Sequence, residues 1–260
     1  MKELSAVILA GGKHPSWRGV LADGCSWFGR TEYPALVLVN QKPMYRYVVE
    51  ALQKAGIYDI VVVGEWTTKR AVGCCTPSAG GENYIGNLEA GLKAARNDRI
   101  ILATCDLPAL KPESITSFIE HCEIMGNPDI AYPIIPAKEC ERLFPGMKRT
   151  IVKLREDSYT GGNIFLLTRS KILDNLSLID QLYKLRKNSV KLAGLFGWGT
   201  IAKLLAAQVI PGCLSVELLE KRASEMLGLS VKAVVAEADI GADIDTPKQL
   251  EAYLMLKRSA

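Results

Sequence analysis

Short apolar runs alternate with longer amphipathic stretches through the first half of the chain. Continuous apolar runs at residues 7–10, 59–64 and 99–106 predict buried strands, because each is short and shows no polar alternation. Residues 43–56 and 82–97 between them carry apolar side chains at helical spacing. Continuous apolar strands that alternate with helices indicate a parallel sheet covered on both faces.

The second half has a different rhythm. Residues 130–136 and 161–167 predict strands, residues 169–228 are mostly helical with Ser215 able to cap the clearest helix, and residues 231–237 predict a last strand. We therefore predict an α/β fold: a Rossmann-type three-layer sandwich with a mostly parallel central sheet and a helical insertion at about 169–228.

Composition narrows the class of protein. A chain of 260 residues with a formal net charge of +4 suits one large α/β domain, or one domain with a small appendage. Acidic and basic residues are interspersed, which argues against a nucleic-acid partner. The 7 cysteines include no C-x-x-C pair, so we expect reduced thiols rather than disulfides or a thiolate metal site.

The distribution of apolar residues does not predict a membrane protein. The N-terminus does not read as a leader, and Lys203 and several glycines interrupt the most apolar later stretch, residues 192–210. We expect a cytoplasmic protein without a membrane partner. The helical residues 169–228 can shape a ligand pocket or a homodimer contact, and the sequence does not choose between these roles.

Two glycines, Gly11 and Gly12, follow the first predicted strand and precede a polar stretch at 13–33. Ligands of open parallel sheets bind beyond the carboxyl ends of the strands, where glycine lets backbone N–H groups approach a ligand closely. A simple tight turn is the alternative interpretation. A dinucleotide fingerprint would need a third glycine that opens a helix almost at once, so the long loop argues against NAD binding.

Carboxylates follow two other strands. Asp106 ends the third predicted strand, and Asp239, Asp243 and Asp245 precede the last helix. If Asp106 and one of Asp243 or Asp245 converge, they offer the hard oxygen ligands that Mg²⁺ prefers together with water and phosphate. The alternative is that "DTPKQ" is only a helix start, with Asp245 or Thr246 as its cap.

Four segments in order, "AVILAGG", "PALVLVNQKPMYRYVVEAL", "TCDLPAL" and "DIDTPKQL", resemble the MobA-like nucleotidyltransferases of the GT-A fold. "PGMKRTIVKL" and "TGGNIFLL" resemble a bacterial subgroup of that family. The resemblance covers nearly the whole chain. It implies a GT-A-like sandwich in one domain, 1–260, with a nucleotide-binding half at 1–127 and an acceptor half at 128–260.

The resemblance also implies binding residues. The nucleoside triphosphate would be held by Ala10, Gly11, Gly12 and Lys13, and its base and ribose would be read by Gly80, Gly81, Gly86 and Asn87. The small-molecule acceptor would contact Arg149 or Lys148, and Thr160, Gly161, Gly162 and Asn163. A helix cap is the structural alternative for Asn87, and a bulge or turn is the alternative for the Gly161–Gly162 pair.

The implied reaction moves a nucleoside monophosphate to a phosphate or hydroxyl acceptor and releases pyrophosphate. Mg²⁺ would be held by Asp106 and by Asp245 or, less favoured, Asp243. The predicted catalytic residues are Asp106 and two cations, Arg18 and Lys42.

One position departs from the family. Pro34 in "YPALVLV" replaces or adjoins a lysine that members commonly carry, and proline brings no charge. Losing one preorganised cation can raise the barrier by about 3 kcal/mol, unless Arg18, Arg30 or Lys42 substitutes. Two alternatives therefore remain: a catalytically weak nucleotide-binding or regulatory protein, and a GT-A glycosyltransferase, although "TCDLP" lacks the Asp-x-Asp pattern of those enzymes.

Overall fold

The computed structural model describes residues 3–17, 32–69, 72–147, 149–185 and 214–259. The predictions for Arg18, Arg30 and Lys148, and the one for the apolar stretch 192–210, fall outside these residues. Within the described part, no helix is both long enough and apolar enough to cross a bilayer.

A nine-stranded sheet forms the centre of the fold, in the order β5-β4-β1-β6-β10-β7-β9-β8, with β11 paired to β7. Strands β10 and β9 run against the others, so the sheet is mixed but mainly parallel, as predicted. A separate two-stranded ribbon joins β2 to β3. The strands are β1 (Leu4–Leu9), β2 (Leu38–Val39), β3 (Lys42–Pro43), β4 (Asp59–Val63), β5 (Thr76–Ser78), β6 (Arg99–Thr104), β7 (Ile130–Pro136), β8 (Val152–Lys153), β9 (Ser158–Gly161), β10 (Ile164–Thr168) and β11 (Val231–Val235).

Helices cover both faces of this sheet, which makes three layers. On one face α1 and α3 pack against the side chains of Ala6 and Ile8, and on the other α2 packs against Val7 and Leu9, so β1 is buried on both sides. The helices are α1 (Met44–Lys54), α2 (Tyr84–Ala94), α3 (Pro112–Ile124), α4 (Ala137–Leu143), α5 (Arg169–Asp174), α6 (Leu176–Leu185), α7 (Val216–Leu227) and α8 (Pro247–Ser259). Ser215 caps α7, as predicted, by accepting a hydrogen bond from the N–H of Leu218.

The predicted strand at 161–167 is two elements. Strands β9 and β10 follow the same edge of β7, where Ile134 pairs with Gly161 and Ala131 pairs with Leu166. Three steps along β7 therefore correspond to five along its partner, so two extra residues, Gly162 and Asn163, form a bulge. The two glycines therefore differ: Gly161 pairs with Ile134 at the end of β9, and Gly162 lies in the bulge. Bulges of this kind are frequent beside functional sites.

Candidate functional site

The residues after β1 are held firmly at the carboxyl edge of the sheet. The N–H of Ala10 donates to the carbonyl of Val63 at 2.8 Å, and the indole N–H of Trp66 donates to the carbonyl of Ala10, also at 2.8 Å. Both backbone groups of Ala10 are therefore used by the protein. The N–H of Ala10 is thus engaged within the sheet, and its carbonyl keeps one further acceptor lone pair.

The two glycines that follow have different surroundings. A Cβ on Gly11 would lie 2.9 Å from Nδ2 of Asn87 and 3.3 Å from the Cα of Gly64, so both neighbours would have to shift to admit a side chain. A Cβ on Gly12 would meet no atom of the described residues within 4 Å. Packing therefore explains Gly11, whereas Gly12 borders open space, where a ligand can approach its backbone.

A second glycine-rich loop leads into α2 beside the first. Gly80 has a left-handed φ of 76°, and the N–H of Gly81 donates to Oδ1 of Asn87 at 2.9 Å. A Cβ on Gly81 would lie 2.6 Å from the Cα of Gly86, so the two backbones touch. Asn83 caps α2 by accepting from the N–H of Gly86 at 2.9 Å. The cap is Asn83, and Asn87 instead ties the loop to the helix and to Gly11.

Lys13 lies at the exposed mouth between these loops. Its ammonium group is 2.8 Å from a carboxylate oxygen of Glu65 and 5.2 Å from the ring centre of Tyr33. The Tyr33 hydroxyl donates to the same Glu65 oxygen at 3.0 Å. Tyr33 directly precedes Pro34, which begins a 3-10 turn. Lys13 therefore places a cation beside the position where the family commonly has its lysine.

Lys42, a predicted catalytic cation, is engaged elsewhere. Its ammonium group lies 2.7 Å from Glu50 of α1 and 3.8 Å from the ring centre of Tyr47. These contacts hold the side chain against α1, so a phosphate contact would require the Glu50 pair to open.

Asp106 stands just beyond β6 and is joined to the segment before α8. Its carbonyl accepts from the N–H of Ile244 at 3.0 Å, which brings Asp243 and Asp245 to the same edge of the sheet. Its Oδ1 is shielded from solvent and meets no hydrogen-bond partner among the described residues. Burial, together with the charge of Asp245, raises the pKa of Asp106 to about 6.

Asp243 and Asp245 differ in their roles. Burial, then the charges of Asp106 and Asp245, raises the pKa of Asp243 above its ordinary value. Asp245 is exposed, and its N–H donates to Gln249 at 2.9 Å while Thr246 accepts from the N–H of Gln249 at 3.3 Å. Thr246 is therefore the cap of α8, and the side chain of Asp245 is not used as one.

Asp239, the third acidic residue of that segment, is structural. It is 4% exposed and accepts from the N–H of Lys111 at 2.8 Å and from the hydroxyl of Ser114 at 2.8 Å. These are the cap position and the first turn of α3. Asp239 satisfies the start of that helix from a distant part of the chain, which sequence spacing alone does not reveal.

The carboxylates gather at one edge of the sheet, and metal binding is one use that their chemistry allows. Among the described residues, no three His, Cys, Asp or Glu side chains gather closely enough to hold a metal by themselves. Mg²⁺ is commonly held by one or two carboxylates, with substrate phosphates and water completing its shell. Asp106 has an Oδ1 without a partner among the described residues, and burial first and neighbouring carboxylate charges second raise the pKa values of Asp106 and Asp243. A cation beside these carboxylates would offset both effects.

The bulge of "TGGN" meets this edge from the other side. The N–H of Thr104 donates to the carbonyl of Asn163 at 3.2 Å, and the N–H of Asn163 donates to the carbonyl of Ile240 at 2.9 Å. A Cβ on Gly162 would lie 2.9 Å from Cγ2 of Ile240, and Thr160 is 5% exposed in β9. Of the predicted acceptor residues, Asn163 therefore bonds to Thr104, two positions before Asp106 in the chain, and packing accounts for Gly162.

Arg149 completes the group. Its Nη1 is 3.8 Å from Oδ1 of Asp243, and a Cβ on Gly241 would lie 3.2 Å from that nitrogen. The structure thus brings together Asp106, Asp243, Asp245, Arg149 and the bulge, and separately brings together the two glycine loops with Lys13. The sequence analysis did not identify Asn83, Glu65 or Trp66. Of these, only Asn83 has a local signal, because asparagine is a preferred residue at a helix N-cap.

Comparisons with known proteins give the family of the chain and the structures that share its fold. The profile of the MobA-like NTP transferase domain matches residues 6–186. A hypothetical transferase from Thermus thermophilus has 34% sequence identity and a TM-score of 0.78, over 95% of this chain and 99% of its own. No curated protein matches the chain.

More distant structures share the fold. A CMP:2-keto-3-deoxy-manno-octonic acid synthetase complexed with CTP has 17% identity and a TM-score of 0.59, over 99% of both chains. The 2-C-methyl-D-erythritol 4-phosphate cytidylyltransferase from Thermus thermophilus has 12% identity and a TM-score of 0.55, over 98% of this chain and 99% of its own. With the profile match over most of its length, the chain belongs to the MobA-like NTP transferase family and is an enzyme of the nucleotidyltransferase class.

Proposed function

We propose that the protein transfers a nucleoside monophosphate from a nucleoside triphosphate to a small acceptor that bears a phosphate or hydroxyl group, with Mg²⁺ as cofactor. The observation that carries this proposal is the meeting of Asp106 with the Asp243–Asp245 segment at the carboxyl edge of a mainly parallel sheet. Ligands of such sheets bind at that edge.

The donor nucleotide would lie against the two glycine loops. Gly12 borders open space, and the loop before α2 ends at a capped helix start, where backbone N–H groups favour an anion. Gly80, Gly81, Gly86 and Asn87 give that loop its shape. Lys13 at the mouth would contact the phosphates after leaving Glu65, because an exposed ion pair of this kind is weak.

The metal would be held by Asp106 and by Asp245, whose side chain is free of the α8 cap, with Asp243 as the alternative partner. When bound, Mg²⁺ neutralises charge that develops on the phosphate oxygens. The aspartates would act as ionised carboxylates that bind the metal. Arg18 is a further proposed cation of the site.

The acceptor would lie across the same edge, near Arg149 and the segment Thr160, Gly161, Gly162 and Asn163. One oxygen of the acceptor attacks the α-phosphorus and forms a new P–O bond. The bond between the α-phosphorus and the oxygen that bridges it to the β-phosphorus breaks, and pyrophosphate leaves. The protein supplies no covalent intermediate, so its contribution is positioning and charge.

A turnover assay tests this proposal. The protein would be incubated with Mg²⁺, each of ATP, CTP, GTP and UTP, and a panel of phosphate-bearing and hydroxyl-bearing acceptors, and pyrophosphate would be measured. We expect release with one triphosphate and one acceptor class, and a loss of about 100-fold or more in Asp106→Asn. The exposed Asp174→Asn is the matched control. Binding without pyrophosphate release would instead support a regulatory role, and transfer from a nucleotide sugar would support a glycosyltransferase.

A further inference from the structure

Helix α8 carries apolar side chains on two faces. One face packs into the core through Leu250 and Tyr253. On a second face, Lys248, Ala252 and Met255 are spaced i, i+4 and i+7, so they form one stripe along the helix. Met255 is 68% exposed in this stripe. Core packing therefore accounts for the first face of α8 and not for the second.

A cavity of about 550 Å³ lies along the second face. Its wall includes Asp245 just before α8, Gly146 from the loop after α4, and the stripe as far as Met255. Sites for small molecules have volumes of roughly 300–1,000 Å³. Gln249 and Met255 both line the cavity and are about 9 Å apart along the helix axis, at a rise of about 1.5 Å per residue. The cavity therefore has the volume and the length of a small-molecule site.

The cavity adjoins the side of the site that is predicted for the acceptor. Asp245, a candidate metal ligand, forms part of its wall. Gly146 lines both this cavity and a smaller one of about 220 Å³, whose wall includes Thr160 of the predicted acceptor segment. The donor is instead proposed to lie against the glycine loops that follow β1 and precede α2. A ligand in the large cavity would therefore approach Asp245 from the acceptor side.

An amide at the Asp245 end of the cavity presents two hydrogen-bond donors. Oε1 of Gln249 accepts from the N–H of Asp245 at 2.9 Å and from the hydroxyl of Thr246 at 3.1 Å. A backbone N–H is only a donor, so the atom that it contacts is the amide oxygen. Nε2 has no hydrogen-bond partner among the described residues and is in contact with solvent rather than shielded from it. Its two N–H groups are therefore available to a ligand, while the oxygen holds the amide in place.

The charges place the polar group of a ligand at the same end. Lys248 is exposed and makes no ion pair with a described residue, so its ammonium group can join Nε2 of Gln249 in contacting an oxygen-bearing group. Glu251 also lines the cavity, and its carboxylate would repel an anion placed further along α8. Ala252 and Met255 offer apolar surface there. The wall therefore changes from polar at the start of α8 to apolar two turns later.

We propose that this cavity binds the acceptor, with an oxygen-bearing end at Lys248 and Gln249 and a hydrocarbon part against Ala252 and Met255. The proposal rests on the proposed function and narrows its substrate class. The acceptor combines a phosphate or hydroxyl group with a hydrocarbon chain or ring, because each methylene removed from water adds to affinity. An acceptor that is polar throughout is a poorer substrate.

The binding test uses methyl, butyl and hexyl phosphate, which share a head group and differ in hydrocarbon length. Each would be titrated at constant ionic strength into metal-free protein that is isotope-labelled in its methionine methyl groups. The resonance of Met255 is the readout, and its loss in Met255→Gln assigns it. Met125, which is 41% exposed at the end of α3, is the internal control.

We expect a saturable shift of the Met255 resonance and none of the Met125 resonance. Affinity should rise about two- to fourfold for each added methylene that contacts the cavity wall. Measured by melting temperature, this dependence on chain length should persist in Met125→Gln and become flat in Met255→Gln. Affinity that does not depend on chain length, or an equal dependence in both variants, would overturn the inference.

The polar end is tested with variants of the two donors. Lys248→Met should lower the affinity for all three phosphates about fivefold or more, whereas Lys257→Met, exposed near the other end of the same helix, should not. Gln249→Glu keeps an oxygen for the contacts with Asp245 and Thr246 but removes the N–H donors, so the helix start stays capped while affinity falls. Unchanged binding by both Lys248→Met and Gln249→Glu would contradict this placement of the polar end.

A second arm separates the acceptor from other occupants of the cavity. Each nucleoside triphosphate with Mg²⁺ would be titrated into wild type and Met255→Gln, and sedimentation velocity would give the mass of both proteins. We expect triphosphate affinities within about threefold of each other and equal masses. A loss of binding for one base would assign the cavity to the donor, and a dimer lost in Met255→Gln would make it a contact between two copies of the chain. Either result contradicts the inference.

Turnover distinguishes failure of the inference from failure of the proposed function. For an acceptor found in the pyrophosphate assay, Met255→Gln should raise KM about fivefold or more at nearly unchanged kcat, because this contact is made equally in the ground state and the transition state. Pyrophosphate release with an unchanged KM would overturn the inference and leave the proposed function in place. Binding of hexyl phosphate that requires Met255, without turnover of any acceptor, would remove the proposed function and with it the acceptor role, and leave only a site for amphiphilic phosphates.

Discussion

Asp106 shows how one carboxyl group can be costly to the fold and useful to the site. Its Oδ1 is buried without a partner among the described residues, and its pKa is raised to about 6. Between the unfolded pKa of about 3.9 and that value, the folded state binds more protons than the unfolded state. The free energy of unfolding therefore falls as pH rises through this window.

Replacing Asp106 by Asn removes the charge and should reverse this loss. We predict that metal-free Asp106→Asn is more stable than wild type at pH 8, by about 1–3 kcal/mol, and that the difference shrinks towards pH 4. Urea unfolding at several pH values measures it. Asp174→Asn on the exposed end of α5 should show no such pH-dependent gain. A variant less stable than wild type at pH 8 would show that a further contact stabilises the Asp106 carboxylate.

Lys13 and Glu65 offer a second test at the residue scale. We predict that Lys13→Met weakens triphosphate binding about tenfold, as expected for the loss of one charged phosphate contact. Glu65→Gln, which removes the partner of the same ion pair, should bind at least as tightly as wild type because Lys13 is released. Titration calorimetry with each triphosphate and Mg²⁺ measures both. Equal weakening by the two variants would mean that the pair itself, not the free cation, shapes the site.

At the scale of elements, the two glycines of the loop after β1 have different surroundings, so their substitutions should have different effects. A Cβ added to Gly11 would press on Asn87 and Gly64, whereas one added to Gly12 would meet no described atom within 4 Å. We predict that Gly11→Ala costs about 1–3 kcal/mol of unfolding free energy, while Gly12→Ala leaves stability within about 1 kcal/mol and weakens triphosphate binding. Denaturant curves and binding titrations distinguish the two. Undiminished triphosphate binding by a folded Gly12→Ala would place the phosphates elsewhere.

The regular elements were predictable because burial and periodicity are local. Strands β1, β4, β6 and β7 and helices α1 and α2 lie within a few residues of their predicted positions. The sequence offered a bulge or turn as an alternative at Gly161 and Gly162. It could not place the two extra residues at Gly162 and Asn163, because they follow from the register of β9 and β10 on β7.

For the candidate site too, local features were predictable and contacts between distant segments were not. That Asp106 would meet the segment of Asp243 and Asp245 followed from strand-end logic and from the family resemblance. Three features depend on contacts between distant segments. They are the cap role of Asp239, the ion pair of Lys42 with Glu50, and the burial of Nε and Nη2 of Arg149 without a hydrogen-bond partner among the described residues. No local pattern encodes those contacts, so the sequence could nominate these residues but not assign their roles.

At the scale of the whole molecule, one apolar cluster anchors the three segments that carry the site. The cluster includes Trp17, five residues after Gly12, Met147 before Arg149, and Ile244 between two aspartates. Trp17 is fully buried, and its indole N–H has no hydrogen-bond partner among the described residues. The cluster therefore joins these three segments through apolar contact.

This arrangement predicts a graded response at Trp17. Trp17→Ala should cost about 3–5 kcal/mol, as large-to-small core substitutions do. Trp17→Phe should cost under about 1.5 kcal/mol, because it keeps most of the apolar volume and loses no hydrogen bond that the described residues provide. Denaturant unfolding measures both variants. A penalty for Trp17→Phe as large as that for Trp17→Ala would reveal a buried acceptor for the indole N–H.

The central claim is that Asp106 and its neighbouring aspartates bind a nucleoside triphosphate through Mg²⁺. The most direct measurement is a thermal-shift panel of ATP, CTP, GTP and UTP, each with and without Mg²⁺, on wild type, Asp106→Asn and Asp174→Asn. We predict a rise in melting temperature with one triphosphate that requires Mg²⁺, persists in Asp174→Asn and disappears in Asp106→Asn. A shift that survives in Asp106→Asn, or no shift with any triphosphate, would contradict the claim.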